Sequence, residues 1–129
     1  MPQVKVFASF DCDNDEKLLK RLLSEGKASE ATFIVMDRST KEAPSPERAE
    51  RLCQRMSRVD AVFVLCGPWT HVAANVEEEV KVAQELGKRY YFFKGHPFKE
   101  CARPSSARLA DKMYKWLKDT ADELALRNI

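Results

Sequence analysis

Glycine is scarce in this chain, with four in 129 residues, and none stands in a phosphate-cradling pattern. Neither Gly-x-x-x-x-Gly-Lys-Ser/Thr nor Gly-x-Gly-x-x-Gly occurs, which removes the P-loop and the dinucleotide fingerprint. No Gly-x-Ser-x-Gly elbow is present for a serine hydrolase. Cysteine is sparse too: Cys12, Cys53, Cys66 and Cys101 include no Cys-x-x-Cys, and His71 and His96 complete no zinc pattern. The metal expectation is therefore none. Apolar runs stop at strand length, as in Ala61 to Cys66, far short of the ~18–20 residues a membrane span needs. The N-terminus lacks the basic-then-apolar order of a secretory signal, so the cytoplasm is the expected compartment and no membrane partner is expected. Formal net charge is only +2, which gives no global pull toward nucleic acid.

What is present is a mixture of 44% hydrophobic and 33% charged residues, the composition of a globular chain of one domain, residues 1–129. Val4 to Phe10 is a β-rich run, and the acids Asp11, Asp13 and Asp15 follow it in a turn-forming stretch where helix capping is their first explanation. Leu18, Leu19, Leu22 and Leu23 recur at helical spacing, with Gly26 as the stop. Thr32 to Met36 is continuously apolar and predicts a strand buried on both sides. Ser45 and Pro46 open a helix with Ala49, Leu52, Cys53 and Met56 inward. On it Arg48, Arg51, Arg55 and Arg58 read as a solvated face or as a docking face for an acidic partner. Asp60 to Cys66 is a third strand. Val76, Val80 and Ala83 mark a helix that ends at Leu86 to Lys88, and Tyr90 to Phe93 is a fourth strand. After a loop over Lys94 to Ser105, the spacing of Leu109, Met113, Trp116, Leu117 and Leu124 predicts one long terminal helix. Phe98 to Ala102 leaves room for a fifth edge strand, though the sequence does not show one.

Strands alternating with helices call for a parallel sheet with right-handed crossovers and helices on both faces. The expected fold is α/β, a flavodoxin-like three-layer arrangement of four or five strands in the order 2-1-3-4. Ligands of such sheets bind outside the carboxyl ends of the strands, where the order reverses. A receiver domain needs an aspartate at the end of the third strand, and this strand ends in Cys66 and Gly67. Cys66 and Cys53 read as small core residues, whereas Cys12 lies in a loop beside the expected site, where a reactive thiol is one reading.

Three consecutive glutamates open the third helix. With Val76 at zero on a helical wheel, Glu79 falls about 60° from the apolar stripe, Glu77 about 100° and Glu78 about 200° away. Glu78 is expected to point to water, in capping-box spacing from Asn75 as N-cap. Glu79 borders the buried face and looks toward the strand ends. Both a salt bridge at the helix rim and a catalytic carboxylate satisfy that position. His71 and His96 lie on loops near the site and read first as surface residues.

These residues carry a family resemblance. Val6-Phe7-Ala8-Ser9-Phe10-Asp11 resembles the first box of TIR and TIR-like domains, and Asp37-Arg38-Ser39 resembles the Asp-x-Ser after their second strand. Gly67 and Thr70, leading to Ala73-Ala74-Asn75-Val76-Glu77-Glu78-Glu79-Val80, keep the register of the TIR-like domains of Thoeris anti-phage systems. The chain departs from that pattern at Asn75, where Trp is usual, and at Ala73, where Ser is usual. Asp60 to Trp69 and Ala83 to Lys88 are also similar to nucleoside deoxyribosyltransferase-like proteins, but the first strand lacks their Tyr-x-Ala-Gly-Pro turn.

The TIR-like resemblance implies a signalling or defence domain that cleaves the N-glycosidic bond of NAD or a related nucleotide. Glu79 holds the register of the catalytic glutamate. Ser9, Asp11, Asp37, Ser39, Gly67, Thr70 and Asn75 are the implied substrate-binding residues, with Trp69 or Phe10 stacking on a base. No cofactor is implied, since NAD is substrate. The implied partners are a nucleotide and, by self-association, another TIR-like protein. The same resemblance equally implies a non-enzymatic interaction module.

Overall fold

The structure, a computed structural model, describes residues 3–28 and 30–127. Its elements run β1 (Val4–Phe10), α1 (Glu16–Gly26), β2 (Phe33–Arg38), α2 (Pro46–Met56), β3 (Ala61–Cys66), a 3-10 turn (Thr70–Val72), α3 (Ala74–Glu85), β4 (Arg89–Lys94), β5 (Met113–Lys115) and α4 (Lys118–Leu126). The five strands form one parallel sheet in the order β2-β1-β3-β4-β5. The expected order 2-1-3-4 stands, with a fifth strand added at the β4 edge.

Alternation along the strands divides the core. Val4, Val6, Ala8 and Phe10 of β1, with Phe63 and Leu65 of β3, pack under α1 and α4. Phe7 of β1, with Val62 and Val64 of β3, packs under α2 and α3. Ser9 shares the second face, and this parity later decides what it touches. Cys66 is buried and Cys53 packs partly against the second core, so both fill space as small residues. All four cysteines are free.

Two sequence expectations are corrected. β2 is an edge strand, not one buried on both sides. Phe33 is buried, but Ile34 and Met36 are exposed because the α2/α3 core reaches β1, β3 and β4 and stops short of β2. The single terminal helix is a strand followed by a shorter helix. Tyr114 and Trp116 point to the α1 core and Met113 to the other, a period of two that three strand residues barely display. Leu109 and Phe98 are fully exposed, and the Phe98 to Ala102 stretch holds no strand. Trp116 is fixed by its indole N–H donating to Glu25 at 2.9 Å and by the Arg21 guanidinium 4.3 Å over its ring.

Caps set the helix starts near the site. Ser45 is the N-cap of α2, its hydroxyl accepting from the Arg48 N–H at 3.0 Å. Gly87 ends α3 in the left-handed region at φ 67°, where any side chain is strained. Gly95, just past β4, is required for space: a Cβ there lies 2.4 Å from Leu18 Cδ1 and 2.9 Å from the Cys66 carbonyl oxygen. Gly95→Ala is expected to cost about 1–3 kcal/mol, read as a lower urea midpoint at unchanged slope. An unshifted midpoint contradicts this packing. Among the described residues no helix is long and apolar enough to cross a membrane.

Candidate functional site

The carboxyl ends of β1, β2 and β3 and the start of α3 surround a cleft of 470 Å³. Asp11, Cys12, Asp13 and Asn14 form one wall, Lys41 to Pro44 a second, and Trp69, Val72, Ala73, Ala74 and Asn75 a third. Its charge is mixed. Lys41 pairs with Asp13 at 3.0 Å, and Asp11 spends its oxygens on its own turn, accepting from the Asp13 N–H at 3.0 Å and the Asn14 amide at 2.7 Å. Trp69 is 57% exposed and stacks on His71 with ring centroids 6.4 Å apart, offering an open aromatic face at the rim.

Glu79 is one helical turn along α3 from Asn75 and is wholly buried, at 0% exposure. The sequence predicts a partly buried carboxylate sharing a cleft edge with Ser9 or Asp11; the structure buries it further. Its Oε1 accepts from the hydroxyls of Ser9 at 2.6 Å and Ser39 at 2.5 Å. Its Oε2 accepts from the Arg48 guanidinium at 2.8 Å. Ser9 ends its hydroxyl here because it lies on the α3 face of β1, and Ser39 is placed by its own N–H donating to the Ala8 carbonyl at 2.9 Å. The Ser39 hydroxyl in turn accepts from the Phe10 N–H at 3.0 Å. Burial pushes the Glu79 carboxyl above the usual glutamate range, against the downward pull of Ser39, Ser9 and Arg48. Three donors, and not water, satisfy its oxygens.

Arg48 is the residue that sequence reading missed. The structure takes it out of the solvated face: it is 2% exposed and bridges two glutamates. One terminal nitrogen donates to Glu78 at 2.6 Å, the other to Glu79 at 2.8 Å and to the Thr40 carbonyl at 3.3 Å. Its Nε is buried without a partner. Glu78, expected in water, is drawn back by this arginine and is mostly buried, its side chain 15% exposed. Asn75 is not the N-cap. Ala73 holds that place, and the Asn75 side chain instead donates to the Phe10 carbonyl at 2.9 Å, tying α3 to the end of β1.

The remaining candidates separate. Asp11, Trp69 and Asn75 line the cleft. Ser9 and Ser39 lie beneath it on Glu79. Phe10 points into the α1 core on the opposite side of β1, so its ring does not face the cleft. Asp37 lies outside it, paired with Arg55; burial raises its carboxyl, but Arg55 and the Arg38 N–H outweigh that and lower it. Gly67 and Thr70 are structural neighbours of the cleft, the Gly67 N–H donating to the Thr70 hydroxyl at 2.8 Å. Asp15 stands at the start of α1 but makes no cap hydrogen bond. Its carboxylate is buried over Gly67, 3.5 Å from His96.

Cys12 lines the cleft, yet burial first, then the charges of Glu79 and Asp11, push its thiol up to about 11. Its thiolate fraction at neutral pH is therefore about 100-fold below that of an ordinary thiol, and alkylation by iodoacetamide should be correspondingly slow. Peptide mass spectrometry showing Cys12 modified at the rate of a free thiol contradicts this.

The family model for the Thoeris protein ThsB, TIR-like domain, matches residues 7–94. That span runs from within β1 to the end of β4 and takes in Ser9, Ser39 and Arg48, the donors to Glu79. The chain belongs to the Thoeris ThsB TIR-like family. It is therefore a TIR-like domain of the signalling and defence class, and its parallel sheet with helices on both faces is consistent with the TIR-like, flavodoxin-like fold. No curated protein matches the chain. β5 and α4 of this TIR-like domain lie beyond the matched residues.

Proposed function

We propose that this TIR-like domain cleaves the N-glycosidic bond of NAD or a related nucleotide, with Glu79 as the catalytic carboxylate. One observation carries the reading: the glutamate in family register is a buried carboxyl fixed by two hydroxyls at the strand ends, beside an open cleft with an aromatic rim. A structural ion pair at a helix rim needs none of that placement.

The chemistry asks little else. In NAD the C1′–N bond breaks with its electron pair going to the pyridinium nitrogen, which leaves as neutral nicotinamide, so no strong general acid is needed. The ribosyl carbon becomes oxocarbenium-like, as in glycoside hydrolysis, and a water then bonds to it and gives up a proton to solvent. A carboxylate in a low-dielectric site stabilises that charge better than one in water. Trp69 is the surface for stacking a base, and Asn75 and Asp11 the polar groups nearest the ribose hydroxyls. Because burial raises the Glu79 carboxyl, the acid limb of the kcat/KM profile is expected above the ordinary glutamate range near ~4.3. A limb at or below that range contradicts Glu79 as the titrating group.

A second reading has its own observation. Both Glu79 oxygens are occupied, and the residue does not line the cleft. That favours an interaction module, in which Glu79 and its three donors are a structural pin and the cleft and α2 face bind another TIR-like domain. Incubating the purified chain with NAD and following free nicotinamide by chromatography separates the two. Release supports cleavage; none, even at concentrations where the chain self-associates, supports the module.

A further inference from the structure

We propose that a second pocket, at the carboxyl ends of β4 and β5, binds a small organic phosphate monoester. The pocket has a volume of 390 Å³ and is lined by Arg21, Lys94, Pro97, Lys115, Trp116 and Leu117. It shares no lining residue with the cleft, and four of its six residues lie beyond the span that the family model matches. Its occupancy is independent of NAD cleavage at Glu79.

Three of the six residues are cations and none is an acid. Lys94 and Lys115 are partners in register on neighbouring parallel strands, which sets two like charges side by side. Like charges directly opposite in a sheet cost stability. Other lysines of this chain find acids: Lys41 has Asp13, Lys81 has Glu77 and Lys118 has Asp122. Among the described residues neither Lys94 nor Lys115 makes an ion pair. Arg21 is better served. Its Nε donates to Glu25 at 3.0 Å and one terminal nitrogen to the Trp116 carbonyl at 2.7 Å, which fixes the guanidinium and leaves the other terminal nitrogen to donate. Glu25 answers the arginine, and no acid answers the lysines.

The rest of the wall is apolar: Pro97, Trp116 and a Leu117 that is 58% exposed. A simple counter-ion satisfies the lysines and leaves this wall wet. A phosphate monoester suits both halves. Near neutral pH it carries a charge of about −1.5 to −2 and three acceptor oxygens, one for each cation, while its organic body covers the apolar wall. A carboxylate brings a single charge and two oxygens, which leaves one cation unserved. The volume falls within the range of small-molecule sites, about 300–1,000 Å³.

The test titrates the full chain with adenosine monophosphate, adenosine and inorganic phosphate, followed in ¹H–¹⁵N correlation spectra. The monophosphate is expected to give saturable shifts at the Trp116 indole and at the Lys115 and Leu117 amides, weakening as salt is added. Adenosine is expected to bind there at least roughly tenfold more weakly, and inorganic phosphate more weakly than the monophosphate as well. Lys94→Gln combined with Lys115→Gln is expected to weaken the monophosphate at least roughly tenfold and to melt no lower than wild type, because it relieves the contact between like charges. Absence of saturable shifts, shifts confined to Trp69 and Asn75 in the cleft, or equal binding of adenosine or of inorganic phosphate each overturns the proposal. So does wild-type affinity, or a lowered melting temperature, in the double variant.

Discussion

Arg48→Met is expected to lower the stability of the fold by about 3–5 kcal/mol near neutral pH, the largest effect of any change at the site. The loss comes from what is left behind. Methionine fills much of the arginine's volume, but the buried Glu79 is then left with only two hydroxyl donors, and ionising it there costs stability. The pH dependence follows from the same residues. Burial already places the folded-state carboxyl of Glu79 above its unfolded value, and removing Arg48 raises it further. A raised folded pKa contributes stability that is intact below the unfolded pKa and is lost as pH rises through the folded pKa. The variant should therefore lie closer to wild type at about pH 5 than at about pH 7.5 in urea denaturation. Arg48→Met combined with Glu79→Gln should recover a large part of the loss, because the stranded charge is gone. Additive losses, or a deficit that is flat with pH, contradict the ion-pair account.

The core of this architecture is legible because it is carried by runs and spacings. Continuous apolar residues at Ala61 to Cys66 and a capped helix at Ser45-Pro46 leave little choice of element, and the alternation of elements imposes a parallel sheet. What failed lies at the sheet's edges. Thr32 to Met36 reads as a central strand because its residues are apolar, and nothing local says that the helical layer stops short of them. Met113 to Lys115 is too short for its period of two to compete with the helical spacing of Leu109, Met113 and Trp116.

The site was half legible. Register and parity bring Glu79 and Ser9 together, since Ser9 alternates with Phe10 and Glu79 borders the α3 stripe. The partner cation was overlooked, although its signal is in the sequence. Arg48, Leu52 and Met56 stand four residues apart, so an arginine occupies the inward stripe of α2, and all three are buried. A charged residue on such a stripe needs an acid across the helix interface, and of the four acids in α3 it is Glu78 and Glu79 that meet it. Glu78 is misjudged on the wheel because a wheel knows one helix only; α2 packs alongside and pulls its side chain back from water. Burial of Glu79 also changes what its removal does. A rim carboxylate contributes little, but this one anchors three donors, so Glu79→Gln should cost about 1–3 kcal/mol, with Arg48 still held by Glu78.

The central claim is that this buried carboxylate is a catalyst and not only a pin, and Glu79→Gln tests it most directly. Glutamine keeps the size and can accept from Ser9, Ser39 or Arg48, but it lacks the negative charge that an oxocarbenium-like state requires. Wild type and variant are incubated with NAD at matched concentrations, below the melting temperature of each, and released nicotinamide is measured. Wild type is predicted to release it, and the variant is predicted to lose roughly 10²-fold or more in kcat while remaining folded. Nicotinamide release by a folded Glu79→Gln protein at the wild-type rate would contradict the account.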